Sequence, residues 1–300
     1  MTTWLNAPFR LQFRVIDGLT VRFAQSESAQ SNSRGQERAL LLSPWPESLL
    51  AFEPVWSLLA EHAHLVAIDL PGFGRSQHCD ALLSPRAMSE FIIAAADAFG
   101  LEHPHVVAPG TGTPAALFAA ARHPGRLRSL VVGSGAAAVP LLGGPLRDWI
   151  EAPGLEAFRR ADPRQLVAGA LASMKRSVIP EAVLEDYFAS CQGNRLAESV
   201  RYVRAYPTDL PVLAHLLPQI RTPARIIAGA YDTTVPLANA EFIAERLPDS
   251  RLDILEAGHF TWEEAADEYA ALVTSWWSGT TGTPADIAGN ATSCRRSRTT

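Results

Sequence analysis

The sequence predicts an α/β fold in which a mostly parallel sheet is covered by helices on both faces. Short, continuous apolar runs recur along the 300-residue chain, and such runs are typical of parallel strands that are buried on both sides. Segments of helix length separate the runs, several with apolar residues at helical spacing. The rhythm breaks once, because about ninety residues between positions 133 and 226 show helical patterning and no convincing strand.

The elements are predicted in chain order from these patterns. A hairpin over residues 11–16 and 20–24 comes first, joined by Asp17-Gly18, a dipeptide typical of tight turns. Further strands are predicted at residues 39–42, 65–68, 105–108, 130–133, 226–228 and 252–255, and helices at residues 50–61, 85–99, 113–122, 237–247 and 262–277. Residues 25–37 are polar, and we expect a loop there.

The helical interval predicts the domain organisation. Pro180 suits the start of one of its helices and Gly193 the end. A helical insertion late in a parallel sheet is expected to cover the carboxyl edge of the strands, where open α/β sheets bind ligands. We therefore expect a core of residues 8–135 and 219–278, and a helical lid of residues 136–218. Residues 279–300 are rich in small polar residues, and we expect them to be disordered.

Charge and composition limit the classes of partner and ligand that we expect. The net charge of −5 and the pI near 5.9 give no reason to expect nucleic acid or an anionic membrane. The three cysteines are far apart, which indicates neither a disulfide framework nor a zinc site. The N-terminus has no signal-like apolar segment and no run of about 18 apolar residues occurs, so we expect a soluble, cytoplasmic protein. We also expect a monomer or homodimer. We expect no cofactor and no metal, because seven of the histidines lack ligand spacing: His62, His64, His78, His103, His105, His123 and His215.

Residues 106–117 read VVAPGTGTPAAL, an apolar strand that enters a tight turn and leaves it as an alanine-rich helix. This is the layout of a nucleophile elbow, whose apex normally carries a reactive side chain. The small residues Ala108 and Gly112 flank Gly110 symmetrically and place it at the apex. Thr111 and Thr113 are not expected to be nucleophiles, because the side chain after the apex points away. The predicted apex therefore has no reacting atom.

Four further segments follow predicted strands: SPWPES at residues 43–48, DLPGFGRS at 69–76, GAYDTTVP at 229–236 and GHF at 258–260. With the elbow, this ordered set resembles the α/β-hydrolase fold superfamily over residues 11–277. WPES resembles the HGxPES turn of the epoxide hydrolase and haloalkane dehalogenase branch, whose elbows usually carry Asp. The chain departs from that branch in having Ser43-Pro44 in place of His-Gly, and Thr111 where an aromatic residue often stands.

The resemblance implies roles for individual residues. His259 would be the general base and Asp232 the group that orients it, whereas Asp69 would be structural. Backbone N–H groups of Trp45 and Thr111 would form the oxyanion hole. Substrate contacts are expected from Trp45, Phe260 and two lid tyrosines, Tyr202 and Tyr206, which are four apart and so share a helix face. The alternative role for each tyrosine is packing within the lid. From the aromatic residues of the lid we infer an apolar substrate.

We expect an enzyme of hydrolase descent, and glycine at the apex leaves three functions open. The chain could be an altered form of an Asp-nucleophile hydrolase that acts on an epoxide, an ester or a related molecule, and it could use His259 to activate water. It could be a lyase or cyclase in which His259 deprotonates the substrate. It could also be a non-catalytic protein that retained the ligand pocket.

Overall fold

The computed structural model describes residues 10–26 and 37–279. Its strands are β1 (Gln12–Ile16), β2 (Leu19–Gln25), β3 (Glu37–Leu42), β4 (Ala63–Ile68), β5 (His105–Pro109), β6 (Ser129–Gly133), β7 (Ala224–Gly229) and β8 (Ser250–Leu255). Its helices are α1 (Glu53–Ala60), α2 (Pro85–Ala98), α3 (Gly112–Arg122), α4 (Gly144–Glu151), α5 (Glu156–Arg160), α6 (Pro163–Leu171), α7 (Glu181–Ser190), α8 (Arg195–Arg204), α9 (Tyr206–Leu216), α10 (Ala238–Ala244), α11 (Thr261–Glu264) and α12 (Ala266–Gly279). Most of the predicted loop at residues 25–37 and the predicted tail lie outside the described residues.

The strands form one eight-stranded sheet in the order β1-β2-β4-β3-β5-β6-β7-β8. Only β2 runs against its neighbours, and the remaining pairs are parallel. Alternate residues of a strand face opposite sides of a sheet, and both sides are covered here. Leu40 and Leu42 of β3 pack into one buried cluster, and Ala39 and Leu41 into the other. The predicted α/β fold with a mostly parallel, doubly covered sheet is confirmed.

Three predicted helices differ from the observed ones. Residues 49–52 form a separate short 3₁₀ turn before α1, in which Pro54 lies in the first turn; proline suits a helix start and not its interior. The helix predicted at residues 262–277 is divided into α11 and α12 around Ala265. The segment carrying Tyr202 and Tyr206 is also two helices, because Pro207 begins a new one.

The helices α4–α9 lie between β6 and β7, and no strand occurs there. They occupy the interval in which the sequence shows helical patterning. None of the helices among residues 10–26 and 37–279 is both long enough and apolar enough to cross a membrane.

Candidate active site

The strand order brings the predicted site residues to one edge of the sheet. After β3 the chain passes to β4 on one side, and β5 then lies on the other side of β3. The loops that follow β3 and β5 therefore diverge at the carboxyl ends of two adjacent parallel strands, which opens a crevice between them. Trp45 follows β3 and Gly110 follows β5, whereas Asp232 and His259 follow β7 and β8.

Gly110 forms the turn between β5 and α3. Its φ angle is +58°, a left-handed conformation that glycine adopts without the steric cost of a Cβ atom. Its N–H donates to the carbonyl oxygen of Gly133 over 3.0 Å. A Cβ atom at this position would lie 3.7 Å from Cβ of Pro44 and 3.9 Å from Cη2 of Trp262. The turn thus has room for a side chain and carries none.

His259 and Asp232 form a buried pair. Nδ1 of the imidazole lies 2.7 Å from Oδ2 of Asp232. The other carboxylate oxygen, Oδ1, accepts backbone N–H groups of Thr234 and Val235 at 2.9 and 2.8 Å. These bonds fix the carboxylate, which in turn fixes the imidazole ring and favours the tautomer with a proton on Nδ1. Nε2 is then the free basic nitrogen, and His259 lines the central cavity.

Two backbone donors at the edge of the crevice are unused. The N–H groups of Trp45 and Thr111 donate to no acceptor within the described ranges, and both residues line the cavity. The indole N–H of Trp45 is engaged, since it donates to Oγ of Ser199 on α8 over 2.8 Å. Free backbone N–H groups beside a buried base are the donors that an oxyanion would require.

The cavity has a volume of about 430 Å³ and lies between the strand ends and the inserted helices. The core contributes Trp45, Gly110, Thr111, Ser134, His259 and Phe260, and the inserted helices contribute Leu146, Trp149, Leu166, Ala170, Val203 and Tyr206. None of its lining residues is Lys, Arg, Asp or Glu. A large apolar pocket with a few polar groups is the usual form of a small-molecule site.

The two predicted tyrosines take different positions. Tyr206 lines the cavity at the start of α9. Tyr202 does not line it, and its hydroxyl donates to the carbonyl oxygen of Thr111 over 2.9 Å. The expectation that Tyr202 contacts a substrate is therefore corrected: it ties α8 to the Gly110 turn. Burial raises the pKa of both phenols, with the charge of Asp209 and the neighbouring Tyr206 adding to the effect at Tyr202.

The turn after β6, residues 133–135, was missed by sequence reasoning. It is bonded to the Gly110 turn through Thr113, whose Oγ1 donates to the carbonyl oxygen of Ala108 and accepts the N–H of Gly133. A Cβ atom at Gly135 would come within 2.7 Å of the carbonyl oxygen of Gly110, so only glycine fits there. Ser134 stands between two glycines at the carboxyl end of a strand and lines the cavity. Its position at the end of a predicted strand is the sequence feature that could have marked it as a site residue.

A buried pair of carboxyl groups lies near the Gly110 turn. Glu47 accepts the indole N–H of Trp262 over 3.0 Å, and Glu263 accepts the hydroxyl of Tyr187 over 2.9 Å. Burial, then the charge of Glu263, raises the pKa of Glu47 well above its ordinary value, and burial raises the pKa of Glu263 to about 7. The charge of Glu263 adds to the effect of burial at Glu47, because two like charges near each other do not both ionise readily. Trp262, which Glu47 holds, packs against Gly110.

A buried arginine joins the core to the inserted helices. Arg22 of β2 donates from Nε to Asp69 over 2.6 Å and makes two bonds, of 2.7 and 2.9 Å, to Asp186 of α7. Asp69 also accepts the N–H groups of Leu49 and Arg75. Asp69 thus anchors loops at the strand ends, which is a structural role and not a chemical one.

One group of side chains has the composition of a metal site. The ligand atoms of His78, Asp80 and Glu198 lie within 4.8 Å of one another, although the sequence separates Glu198 from the other two by more than a hundred residues. Glu198 is already paired with Arg159 and Arg201 at 2.7 and 2.6 Å. Because two cations already neutralise this carboxylate, we assign no metal to the cluster.

Comparisons with known proteins agree with this architecture. The sequence profile of the alpha/beta hydrolase family matches residues 40–272. The chain is 28% identical over 220 residues to a 2-hydroxymuconate semialdehyde hydrolase of Pseudomonas putida, which covers 71% of this chain and 76% of that protein. It is 27% identical over 290 residues to a pimeloyl-(acyl-carrier protein) methyl ester esterase of Neisseria meningitidis, covering 88% and 85%. The crystal structure of a hydrolase from Pseudomonas aeruginosa superposes with a TM-score of 0.73 at 24% identity, covering 90% of this chain and 99% of that one.

Proposed function

Because the chain belongs to the alpha/beta hydrolase family and is a hydrolase-like enzyme, we propose that it hydrolyses a neutral, apolar small molecule by general-base activation of water. The single observation that carries the proposal is the His259–Asp232 pair, joined over 2.7 Å beside a side-chain-free turn in one apolar cavity. Asp232 holds the proton on Nδ1, which leaves Nε2 to accept one from water.

We propose further that Gly110 occupies the position that carries the nucleophile in relatives with an Asp elbow. The strand–turn–helix context and the φ of +58° support this assignment. In the proposed reaction the oxygen of water bonds to the electrophilic carbon of an ester, a lactone or an epoxide while its proton passes to Nε2 of His259. The imidazolium then returns that proton to the leaving oxygen. No covalent enzyme intermediate forms, because the turn offers no atom to carry one.

The lining supports a neutral substrate. None of the residues around the cavity carries a charged side chain, so an anionic ligand would lose its hydration without gaining a cation. The Neisseria relative is named for a methyl ester, which is a neutral group of this kind. In this proposal the aromatic walls, Trp45, Trp149 and Phe260, contact the apolar part of the substrate, and Tyr206 donates to its oxygen. Helices α4–α9 act as a lid over the carboxyl ends of the strands.

The same geometry favours one second function. A base without a nucleophile can instead remove a proton from the carbon next to a carbonyl group, so elimination or ring closure of a carbonyl compound is the competing reaction. The observation behind it is again the absence of a side chain at Gly110.

A labelled-water experiment tests the proposal and separates the two reactions. Parent protein is incubated in water enriched in oxygen-18 with a panel of aryl esters, lactones and aryl epoxides, under single-turnover conditions. We expect one labelled oxygen in the carboxylic acid, hydroxy acid or diol that hydrolysis forms, none in the released alcohol, and loss of turnover in His259→Ala. With substrate in excess we expect no initial burst of the leaving group. A product that lacks the label would indicate elimination or cyclisation. Turnover that survives in His259→Ala would contradict the assignment of the base.

A further inference from the structure

We infer that Ser134 is a ligand-positioning residue whose hydroxyl donates a hydrogen bond to the acceptor oxygen of a neutral carbonyl compound, such as a ketone, an ester or a lactone. The inference rests on the proposed function, in that it takes the cavity beside His259 to be the binding site. It assigns the polar end of that site to a residue outside the motifs recognised in the sequence.

The hydroxyl of Ser134 is buried and unpaired. The residue is 4% exposed, and its Oγ makes no hydrogen bond to any residue that the structure describes. Buried hydroxyl groups are almost always paired, because water would otherwise solvate them better than the protein does. A hydroxyl group left in this state can bond to a ligand once it turns toward the cavity that its residue lines.

The backbone of Ser134 is also strained. Its φ is +45°, in the left-handed region where a Cβ atom approaches the carbonyl oxygen too closely. Glycine would remove both the strain and the unpaired hydroxyl, and glycine occupies the positions on both sides. Stability alone therefore does not account for a serine here, and residues held in such conformations cluster at ligand sites.

The turn that carries Ser134 lies beside the Gly110 turn. The Gly110 and Gly133 backbones are joined by a 3.0 Å hydrogen bond, so the turn that carries Ser134 lies against the elbow. Both Ser134 and His259 line the cavity. Thr111, on the neighbouring turn, is 7% exposed and also has an unpaired Oγ1. A serine hydroxyl turns about one torsion with three staggered positions, and rotation of an unpaired one breaks no bond within the protein.

The unpaired hydroxyl groups indicate the class of ligand. The hydroxyl groups of Ser134 and Thr111 can donate to an acceptor oxygen, but they cannot neutralise a full negative charge. The lining contains no cationic side chain. A carbonyl oxygen carries a partial charge that two neutral donors satisfy, so the ligand is a neutral carbonyl compound and not a carboxylate or a phosphate.

Binding of a matched pair of ligands tests the inference. The ligands are 4-fluoroacetophenone and 4-fluoro-α-methylstyrene, which differ only in having a C=O or a C=CH₂ group, and dissociation constants are measured by fluorine NMR. Ser134→Ala and Ser134→Gly are compared with the parent. Ser190→Ala is the control, because Ser190 is also 4% exposed with an unpaired Oγ but does not line the cavity.

We expect the parent to bind the ketone more tightly than the alkene. Both Ser134 variants should weaken ketone binding by about 3- to 10-fold, the range for one hydrogen bond, and leave alkene binding unchanged. Ser190→Ala should change neither. Thermal unfolding separates this role from a purely structural one. Ser134→Gly should unfold at the same or a higher temperature than the parent, because backbone strain is removed. If the serine had a purely structural role, the variant would unfold at a lower temperature.

The outcomes separate the inference from the proposed function. If the ketone binds both Ser134 variants as tightly as it binds the parent, the inference is overturned and the cavity remains the binding site. A parent that binds neither ligand would overturn the proposed function as well. If Ser134→Ala does not fold, Ser134→Gly decides the question, since glycine suits the observed φ.

Discussion

Replacement of Gly110 tests whether the turn after β5 is a nucleophile elbow without its nucleophile. The informative change is Gly110→Asp, with Gly110→Ala as the matched variant that adds a Cβ atom but no reacting group. The nearest atoms to that Cβ are 3.7 and 3.9 Å away, which is ordinary van der Waals contact. Both variants should therefore fold.

The stability cost comes from the backbone. A side chain at φ +58° costs about 1–2 kcal/mol, because the Cβ atom approaches the neighbouring carbonyl oxygen. For a domain of this size each kcal/mol lowers the melting temperature by about 2–4 °C. Gly100→Ala provides the reference, since Gly100 has a φ of +64° and nothing lies within 4 Å of its Cβ position. Gly110→Ala should lose as much stability as Gly100→Ala.

The chemical effect separates Asp from Ala. In a well-studied hydrolase, removal of the nucleophile costs about 10⁶ in rate, so restoring one should raise turnover by orders of magnitude. Gly110→Asp should attack an aryl epoxide such as styrene oxide and form a hydroxyalkyl ester, which His259 and water then hydrolyse. The assay is intact-protein mass spectrometry after rapid quenching, together with steady-state turnover. Gly110→Ala should show neither adduct nor gain.

Two results would refute this reasoning. The first is a stable adduct on the parent that maps to Thr111 or Thr113, which would show that the apex is misplaced. The second is a folded Gly110→Asp variant that forms no adduct with epoxides, haloalkanes or esters, which would remove Gly110 from the nucleophile position.

Three further predictions follow from the buried groups. His259→Ala should lower any turnover by about 10²–10⁴, the usual contribution of a general base, and a turnover assay on the purified variant checks this. The free energy of unfolding should fall as pH rises from about 5 to 8, since the raised pKa of Glu263, about 7, makes the folded state bind more protons than the unfolded state. For one proton, the free energy of unfolding changes by at most about 1.4 kcal/mol per pH unit. Glu47→Gln should make this pH dependence weaker, and thermal unfolding measured at each pH checks this. Asp186→Ala should cost about 3 kcal/mol in chemical denaturation, because it leaves a buried arginine underpaired; Glu185→Ala, next to it on α7 in an ion pair of half-exposed side chains, should cost at most about 1 kcal/mol.

Much of the fold could be predicted because its signals are local. The run ALLL at residues 39–42 is apolar at every position, and its alternate residues pack on opposite faces of the sheet. The turn at Gly110 was predictable for the same reason, since small residues and a positive φ go together. The sequence also places the Gly110 turn, Asp232 and His259 in the chain order that the resemblance implies, although it does not give the distances between them.

The tertiary structure decided what depends on contacts between distant segments. Tyr202 and Tyr206 are equivalent in sequence spacing, yet one bonds to the backbone of Thr111 and the other lines the cavity. Pro207 starts a new helix, so the shared helix face implied by the spacing does not form, and only the packing of α8 and α9 decides which tyrosine reaches the cavity.

The same limit applies to the groups that the sequence did not reveal. Glu47 and Glu263 are 216 positions apart, and only the packing of α11 against the turn after β3 brings them together and shifts their pKa values. Ser134 is an ordinary serine in the sequence; its burial, its unpaired hydroxyl and its strained φ arise from the turn that packs against Gly110. Local sequence determines where strands and turns form, because backbone preference and apolar periodicity act over a few residues. Which polar groups lose water and which find partners is set by the assembled fold, since desolvation depends on everything that surrounds the group.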